Sequence, residues 1–339
     1  MNISKVFFLL IMLTSFTHGY CQTAREYVDS GKVLFNRKDY TGSMMMYNEA
    51  VALDKSYAEA YYNRGVSEVR LKDYDRAIAD FDISISLEPM RGDYYNGRGI
   101  AKAYIKQFDA AISDYNKAIE KNQQTAKYYF NRGQALYAIK NYELSVRDMD
   151  AVITLSPNDA EAYVNRGEAK DALKDYKASI ADYSIAIKLI PDYANALLNR
   201  GVAYAHQRKY TAAIKDYDRS IELDPGNAIA YMNRGAAKEG LRDFISAMKD
   251  YDKAIEINPQ KANSYYNRGK LKEYLDDHKG AISDLSQAID IKPEFAEAYY
   301  QRGIARIHAH QAEAGCHDLS KSLQLGYEEA NAAINKFCR

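Results

Sequence analysis

The sequence predicts an all-α protein built as one elongated array of antiparallel helix pairs. Glycine recurs nine times at intervals of 34 residues, apolar residues around it follow helical spacing, and all six prolines occupy one place in the repeat. A fixed period of this length indicates one structural unit stacked on its neighbours, which overrides the two or three globular domains that 339 residues would otherwise suggest. The recurring glycines are Gly31, Gly65, Gly99, Gly133, Gly167, Gly201, Gly235, Gly269 and Gly303.

Each repeat is predicted to contain two helices. Positions are counted so that Ala24 is position 1 and Gly31 is position 8 of the first repeat. Positions 1, 4 and 8 share one helical face, as Ala262, Tyr265 and Gly269 illustrate, and the second half of the repeat has the same spacing. A polar turn separates the halves and leads to position 17, which is aromatic in the first seven repeats. The prolines stand at position 32, where a helix has to stop.

These positions carry a family resemblance. One repeat, residues 228–261, has every signature residue in place: Tyr231, Gly235, Phe244, Ala247, Tyr251, Ala254 and Pro259. The pattern resembles the tetratricopeptide repeat, and it covers residues 24–329 in nine copies. The resemblance implies a right-handed α-solenoid, a superhelix of antiparallel helix pairs whose first helices line a concave groove. We assign residues 22–329 to the repeats and residues 330–339, apolar at helical spacing, to a C-terminal capping helix.

The amino terminus predicts export. A positively charged start and an apolar run over residues 6–16 fit a secretory signal peptide, residues 1–21, and the run is too short to span a bilayer. The mature protein would be periplasmic or secreted. In an alternative interpretation Cys21 is the lipid-carrying cysteine of a bacterial lipoprotein, but Tyr20 is large where such proteins have a small residue.

The balance of charge argues against nucleic acid as a partner. The chain has 46 basic and 46 acidic residues and therefore no net charge, whereas binders of nucleic acid or anionic membranes are basic. No nucleophile with a base, phosphate loop or carboxylate pair stands out from the repeat, so we expect neither an enzyme nor a cofactor.

Arginine and aspartate vary together at two positions. Position 7 is Arg and position 23 is Asp in repeats 2 to 9, whereas repeat 1 has Ser30 and Met46. The two positions come opposite each other in a helical hairpin, so we predict an Arg–Asp ion pair inside each of these repeats. Structural ion pairs are the simpler interpretation, and an array of arginines presented to an acidic ligand is the alternative.

Position 6 is the strongest candidate for ligand binding. An amide has both a donor and an acceptor, so it can pair with a peptide unit of a bound chain. In the resembled family this position faces the groove; the alternative is that the amides contact only water. The asparagines are Asn63, Asn131, Asn165, Asn199, Asn233 and Asn267.

Position 5 offers an aromatic strip beside these asparagines. It would suit pockets for the side chains of a bound peptide, although partial burial against the next repeat would explain it equally well. The aromatic members are Tyr62, Phe130, Tyr266 and Tyr300.

The histidines and cysteines of repeat 9 do not predict a metal site. His308 and His310, two residues apart on a helix, would point to different faces, so they do not form one site with Cys316 and His317. Instead we predict a disulfide between Cys316 and Cys338. In the resembled family, the position of Cys316 meets the next repeat, for which the terminal helix would substitute.

The sequence thus favours an exported scaffold that holds an extended peptide or a helix of a partner protein in its groove. Two alternatives remain open: an envelope component that associates with itself, and a docking or regulatory subunit of an enzyme complex. The partner's identity and the oligomeric state are not encoded in any motif.

Overall fold

The computed structural model describes residues 23–338, and every regular element in that range is an α-helix. The helices form two compact units that divide between Pro157 and Asn158. None of the helices in residues 23–338 combines the length and apolarity needed to cross a membrane. The predicted signal peptide, residues 1–21, lies outside the described residues.

The first helix of every repeat covers positions 1 to 13. These helices are α1 (Ala24–Asn36), α3 (Ala58–Arg70), α5 (Gly92–Tyr104), α7 (Ala126–Ala138), α9 (Ala160–Ala172), α11 (Ala194–His206), α13 (Ala228–Gly240), α15 (Ala262–Tyr274) and α17 (Ala296–His308).

The second helix of every repeat begins at position 17. These helices are α2 (Tyr40–Leu53), α4 (Tyr74–Leu87), α6 (Phe108–Lys121), α8 (Tyr142–Leu155), α10 (Tyr176–Leu189), α12 (Tyr210–Leu223), α14 (Phe244–Ile257), α16 (His278–Ile291) and α18 (Ala312–Gln324). Within each unit, the helices of one repeat pack together, and the second helix also packs against the first helix of the next repeat. The predicted α-solenoid architecture of helix pairs is confirmed.

Positions 15 and 16 build the turn between the two helices of a repeat. Position 15 has a φ between 56° and 64° in all nine repeats, although it is never glycine. This left-handed residue ends the first helix. At position 16, an Asp or Asn side chain in six repeats accepts a hydrogen bond from a backbone N–H of the next turn, as Asp73 does from Arg76. The cap starts the second helix because it satisfies a donor that has no partner within the helix.

The recurring glycine makes room for the side chain at position 24 of its own repeat. A Cβ on Gly235 would lie 2.8 Å from Cε1 of Tyr251, and a Cβ on Gly201 would lie 2.5 Å from Cε1 of Tyr217. The same pairing occurs in all nine repeats, and every side chain at position 24 is fully buried. The many tyrosines of this chain are therefore partly a core feature.

The predicted Arg–Asp pairs are confirmed in repeats 2 to 9. In each, Nε and Nη2 of the arginine at position 7 donate to the two carboxylate oxygens of the aspartate at position 23, over 2.5–3.0 Å. Two parallel charge-assisted hydrogen bonds fix the guanidinium plane. Because the arginines already donate two hydrogen bonds each to these buried aspartates, the interpretation as structural ion pairs is favoured over an array of arginines that bind an acidic ligand.

Seven of these guanidinium groups also bind the preceding repeat, which the sequence interpretation did not include. Nη1 donates to a side-chain oxygen at position 25 of that repeat, so each of the seven arginines links two successive repeats as well as two helices. The pairs are Arg64–Asn48, Arg98–Asp82, Arg132–Asn116, Arg200–Ser184, Arg234–Asp218, Arg268–Asp252 and Arg302–Ser286.

Position 11 brings a second cation to the aspartate in five repeats but an acid in repeat 2. Glu68 is only 4% exposed, and its Oε2 has no hydrogen-bond partner among the described residues. Burial, followed by the charge of Asp80, raises the pKa of Glu68 to about 8. The cations in the other repeats contact their aspartates at 2.7–2.8 Å; they are Lys102, Lys170, Lys238, Lys272 and Arg306.

We expect the substitution Glu68→Lys to stabilise the protein at neutral pH, because it would replace an unpaired buried acid by a cation that reaches Asp80. An unsatisfied buried polar group costs about 1–3 kcal/mol. The folded-state pKa is raised above the ordinary 4.5, so the cost is absent below pH 4.5 and grows as the pH rises towards 8. Urea unfolding at pH 5 and pH 8 should therefore show the larger gain at pH 8.

Glu68→Gln is the matched control for this prediction. It keeps the shape of the side chain and removes its titration, so the part of the wild-type pH dependence that comes from Glu68 should disappear. An unchanged dependence of stability on pH in this variant would contradict the assignment.

The predicted disulfide between Cys316 and Cys338 is present. It joins α18 to the residue that follows the last helix, α19 (Glu329–Phe337), and its Cα atoms are 5.6 Å apart. The helix is shorter than the predicted 330–339, because Cys338 lies outside it as the C-cap residue. Closing this loop, with a sequence separation of 22, stabilises the docking of α19 by roughly 3 kcal/mol in the chain-entropy model.

Candidate functional site

A cavity of about 560 Å³ lies in unit 1 on the surface of three neighbouring first helices. Its walls come from α3, α5 and α7, and the second helices α4 and α6 contribute three rings. The lining residues are Tyr62, Val66, Val69, Arg70, Phe81, Asn96, Gly97, Ile100, Ala103, Tyr104, Phe108, Tyr115, Lys127, Asn131, Gln134 and Ala135.

Small residues in repeat 3 open this cavity. Position 5 is Asn96 and position 6 is Gly97, where most repeats have a bulky residue followed by asparagine. Position 12 is Ala103, whereas repeat 4 has Tyr137 there. The backbone at Gly97 approaches the ring of Phe81 so closely that a Cβ would lie 2.7 Å from its Cε1. Repeat 3 thus brings small side chains to the cavity wall, while Phe81 behind them stays fully buried.

Two of the predicted site residues, Tyr62 and Asn131, line the cavity. Nδ2 of Asn131 donates to Oδ1 of the buried Asn96 over 2.8 Å, and its own Oδ1 accepts no hydrogen bond from the described residues. The ring of Tyr62 contacts those of Phe81 and Tyr94, with centroids 5.8 Å and 4.9 Å apart. Burial is the main cause that raises the pKa of Tyr62 to about 12. The wall therefore combines apolar rings with a free amide oxygen.

The other asparagines at position 6 do not form a uniform row of free amides. Nδ2 of Asn63 is buried and has no partner among the described residues. Asn165 donates to the backbone oxygen of Glu161, and Asn199 donates to Oε1 of Glu168, both over 2.8 Å. Burial raises the pKa of Glu168. The amides of Asn165 and Asn199 are thus partly used inside the protein.

Asn233 and Asn267 differ from these asparagines. Both side chains are half-buried and make no hydrogen bond within residues 23–338. In unit 2 they are the members of the predicted set whose amide groups stay available to a ligand.

Two of the aromatic residues at position 5 are packed against the C-terminal end of their own repeat. Tyr266 contacts Phe295, with ring centroids 4.9 Å apart, and Tyr300 contacts Tyr327 at 5.2 Å. Phe130 is half-buried on α7 and does not line the cavity. Tyr266 and Tyr300 are thus partly buried, as the alternative interpretation expected, but the ring that each contacts belongs to its own repeat and not to the next one.

Positions 9, 12 and 13 of the first helix belong to the candidate site but were missed by sequence reasoning. They place Ile100, Ala103 and Tyr104 of α5 in the cavity wall. The sequence spacing could have identified them, because positions 9, 12 and 13 lie on the same face of the first helix as position 5, which was predicted. The asparagines were easier to notice than these apolar residues because asparagine recurs at position 6 of most repeats.

The histidines and the cysteine considered for repeat 9 do not form a cluster of ligand atoms among the described residues. Cys316 is bonded to Cys338 and cannot offer a thiolate. His310 lies beyond the end of α17, with a φ of 61°, so the premise that it shares a helix with His308 was wrong.

Comparison with known protein families identifies the repeat. A model described as "TPR repeat" matches residues 31–71, 102–140 and 244–273. Two models described as "Tetratricopeptide repeat" match residues 159–228 and residues 58–89, 126–159 and 262–295. No curated protein matches the chain.

Solved structures share the fold. The chain is similar to a structure of the APC/C hetero-tetramer Cut9–Hcn1, with a TM-score of 0.61 and 13% identity over 93% of this chain and 76% of the other. It is also similar to the C-terminal part of a TPR repeat-containing protein from Cytophaga hutchinsonii, with a TM-score of 0.57 and 20% identity over 70% and 97% of the two chains. The similarity to PilF of Pseudomonas aeruginosa has a TM-score of 0.54 and 17% identity, over 62% of this chain and 96% of the other.

Proposed function

We propose that this chain, which belongs to the tetratricopeptide-repeat family, is a scaffold that holds an extended segment of a partner protein against its first helices. Proteins of this family generally act in protein interactions and not in catalysis. The single observation that supports a specific site is the cavity of about 560 Å³ on α3, α5 and α7.

The chemistry of the cavity suits one apolar side chain of a bound peptide. Ligand sites typically have volumes of about 300–1,000 Å³, with mainly apolar walls and a few polar groups that fix orientation. Here Ile100, Tyr104 and Phe81 supply apolar wall, while Asn131 offers its amide oxygen to a peptide N–H. An extended segment advances about 3.3 Å per residue, so roughly three residues match the spacing of about 10 Å between neighbouring first helices.

Export is part of the proposal. The apolar segment at residues 6–16 supports a signal peptide at residues 1–21, and lipidation at Cys21 is the less favoured route. The partner would then be a protein outside the cytoplasm. The disulfide between Cys316 and Cys338 suits an oxidising compartment.

Filling the cavity tests the proposal. Peptides are selected from a displayed random library on the purified protein, and their Kd is measured by calorimetry. Ala103→Tyr copies the residue that repeat 4 has at the same position, Tyr137, and its ring would occupy the cavity. We expect the affinity to fall at least tenfold, which is about 1.4 kcal/mol, because the peptide side chain loses its pocket.

Ala205→Tyr is the matched control, because it makes the same change at position 12 of repeat 6, outside this cavity. It should leave the affinity unchanged. Equal affinities of both variants and the wild type for every selected peptide, or a library that yields no binder, would contradict the proposal.

A further inference from the structure

A ring contact joins successive repeats at the turn end of their helices. The residue at position 17 of one repeat meets the residue at position 13 of the next. Within the two units such ring pairs are Tyr74–Tyr104, Tyr176–His206 and Phe244–Tyr274, with centroids 4.6–5.2 Å apart. Between repeats 8 and 9 both rings are imidazoles, those of His278 and His308, at 5.4 Å.

A carboxylate lies between these two imidazoles. Glu273, at position 12 of repeat 8, has its Oε2 3.0 Å from Nδ1 of His278 and its Oε1 2.6 Å from Nδ1 of His308. One ligand atom from each of the three side chains can be chosen so that all lie within 4.8 Å of one another. The Glu273 side chain is 10% exposed and that of His308 is 44% exposed, so the cluster is anchored in the protein and reachable from solvent.

From this geometry we propose that Glu273, His278 and His308 bind a divalent transition-metal ion, with Zn²⁺ as the reference ion and water completing the coordination. Two imidazole nitrogens and one carboxylate oxygen are a donor set for zinc and its neighbours, whereas Ca²⁺ and Mg²⁺ take oxygen ligands. Bond lengths of about 2.0–2.1 Å place tetrahedral ligands roughly 3.3 Å apart. The His278–Glu273 distance of 3.0 Å is close to that spacing, the His308–Glu273 distance of 2.6 Å is shorter, and all three ligand atoms lie within 4.8 Å of one another, so the side chains would have to rotate to enclose an ion.

The ion would fasten repeat 9 to repeat 8. Its ligands come from the last turn of α15, the first residue of α16 and the last residue of α17. A ligand that binds only the folded state stabilises it by mass action, so the melting temperature should depend on zinc concentration.

The full chain, freed of metal with a chelator, is titrated with ZnCl₂ in a calorimeter and with CoCl₂ by visible absorption. We expect one ion per chain, a cobalt spectrum of low coordination number, and a rise in melting temperature with zinc. The double variant His278→Phe/His308→Tyr recreates the Phe244–Tyr274 pair of repeats 7 and 8, and its own metal-free melting temperature is the baseline, because Glu273 loses both histidine partners. Its zinc affinity should fall at least tenfold, and the zinc-dependent shift should be lost.

His310→Gln and His317→Gln are the controls, because both residues are exposed histidines of the same repeat that lie outside the cluster. They should keep the wild-type stoichiometry and affinity. Zinc binding that persists in the double variant, or a wild type that binds no more zinc than the double variant, overturns the proposal. The second outcome would mean that the cluster is only a pair of histidine–carboxylate hydrogen bonds.

Discussion

Arg200→Ala should destabilise the protein by about 3–5 kcal/mol, the range found when one partner of a buried ion pair is removed. Arg200 donates to both carboxylate oxygens of Asp216 over 2.7 Å and 2.8 Å, and also to Oγ of Ser184. The Asp216 side chain is only 7% exposed, so without the guanidinium its charge would be buried and unpaired. Urea unfolding followed by circular dichroism measures the loss.

Combining Arg200→Ala with Asp216→Ala should cost less than the two single changes added together. The double variant has no uncompensated buried charge, so the penalty that dominates Arg200→Ala disappears. Arg219→Ala is the control, because Arg219 contacts Asp192 with side chains that are 46% and 66% exposed. It should leave the melting temperature nearly unchanged. Full additivity of the changes at Arg200 and Asp216 would contradict the pairing.

Gly235→Leu should also lower stability strongly, by about 3 kcal/mol, at the upper end of the usual range for overpacking. The new Cβ would lie 2.8 Å from Cε1 of Tyr251 and 3.2 Å from the backbone oxygen of Ala247. Tyr251 is fully buried and cannot move aside without displacing its repeat. Thermal unfolding should show a clearly lower midpoint.

Ala236→Leu is the matched control for Gly235→Leu, because Ala236 is the next residue of α13 and is exposed. The same side chain is added there without a clash, so the midpoint should stay within a few degrees of the wild type. If the two leucine variants have the same unfolding midpoint, the glycine at position 8 does not determine how closely the two helices of a repeat approach each other.

Contacts inside one repeat could be predicted from the sequence, because the 34-residue period lets nine copies be compared directly. Arg200 and Asp216 were paired because both positions change together in repeat 1. The disulfide followed from two cysteines on elements that were expected to pack. In each case a recurring pattern, or its single exception, corresponds to one physical contact.

Contacts between repeats were harder to predict, because they join different positions of different copies. His308 was compared with its chain neighbours His310 and Cys316, although the side chains that contact it belong to Glu273 and His278 of the preceding repeat. A comparison of position 17 of each repeat with position 13 of the next repeat would have revealed the two imidazoles. The third acceptor of seven of the arginines, at position 25 of the preceding repeat, was missed for the same reason.

The cavity could not be predicted because it depends on what is missing. Asn96, Gly97 and Ala103 line this space together with Phe81 and Tyr115. In the sequence these residues appear only as exceptions to the repeat pattern. The size of the space also depends on how α3, α5 and α7 pack, which the sequence does not show.

Photo-cross-linking tests most directly whether a partner segment lies on the first helices of unit 1. A selected peptide carries a benzophenone group in place of its apolar anchor, and the attachment site is mapped by mass spectrometry. We expect attachment to Ile100, Ala103 or Tyr104 of α5, or to the facing residues of α3 and α7. Attachment instead to exposed residues of the second helices, such as Ile83 of α4 or Ile245 of α14, would contradict it.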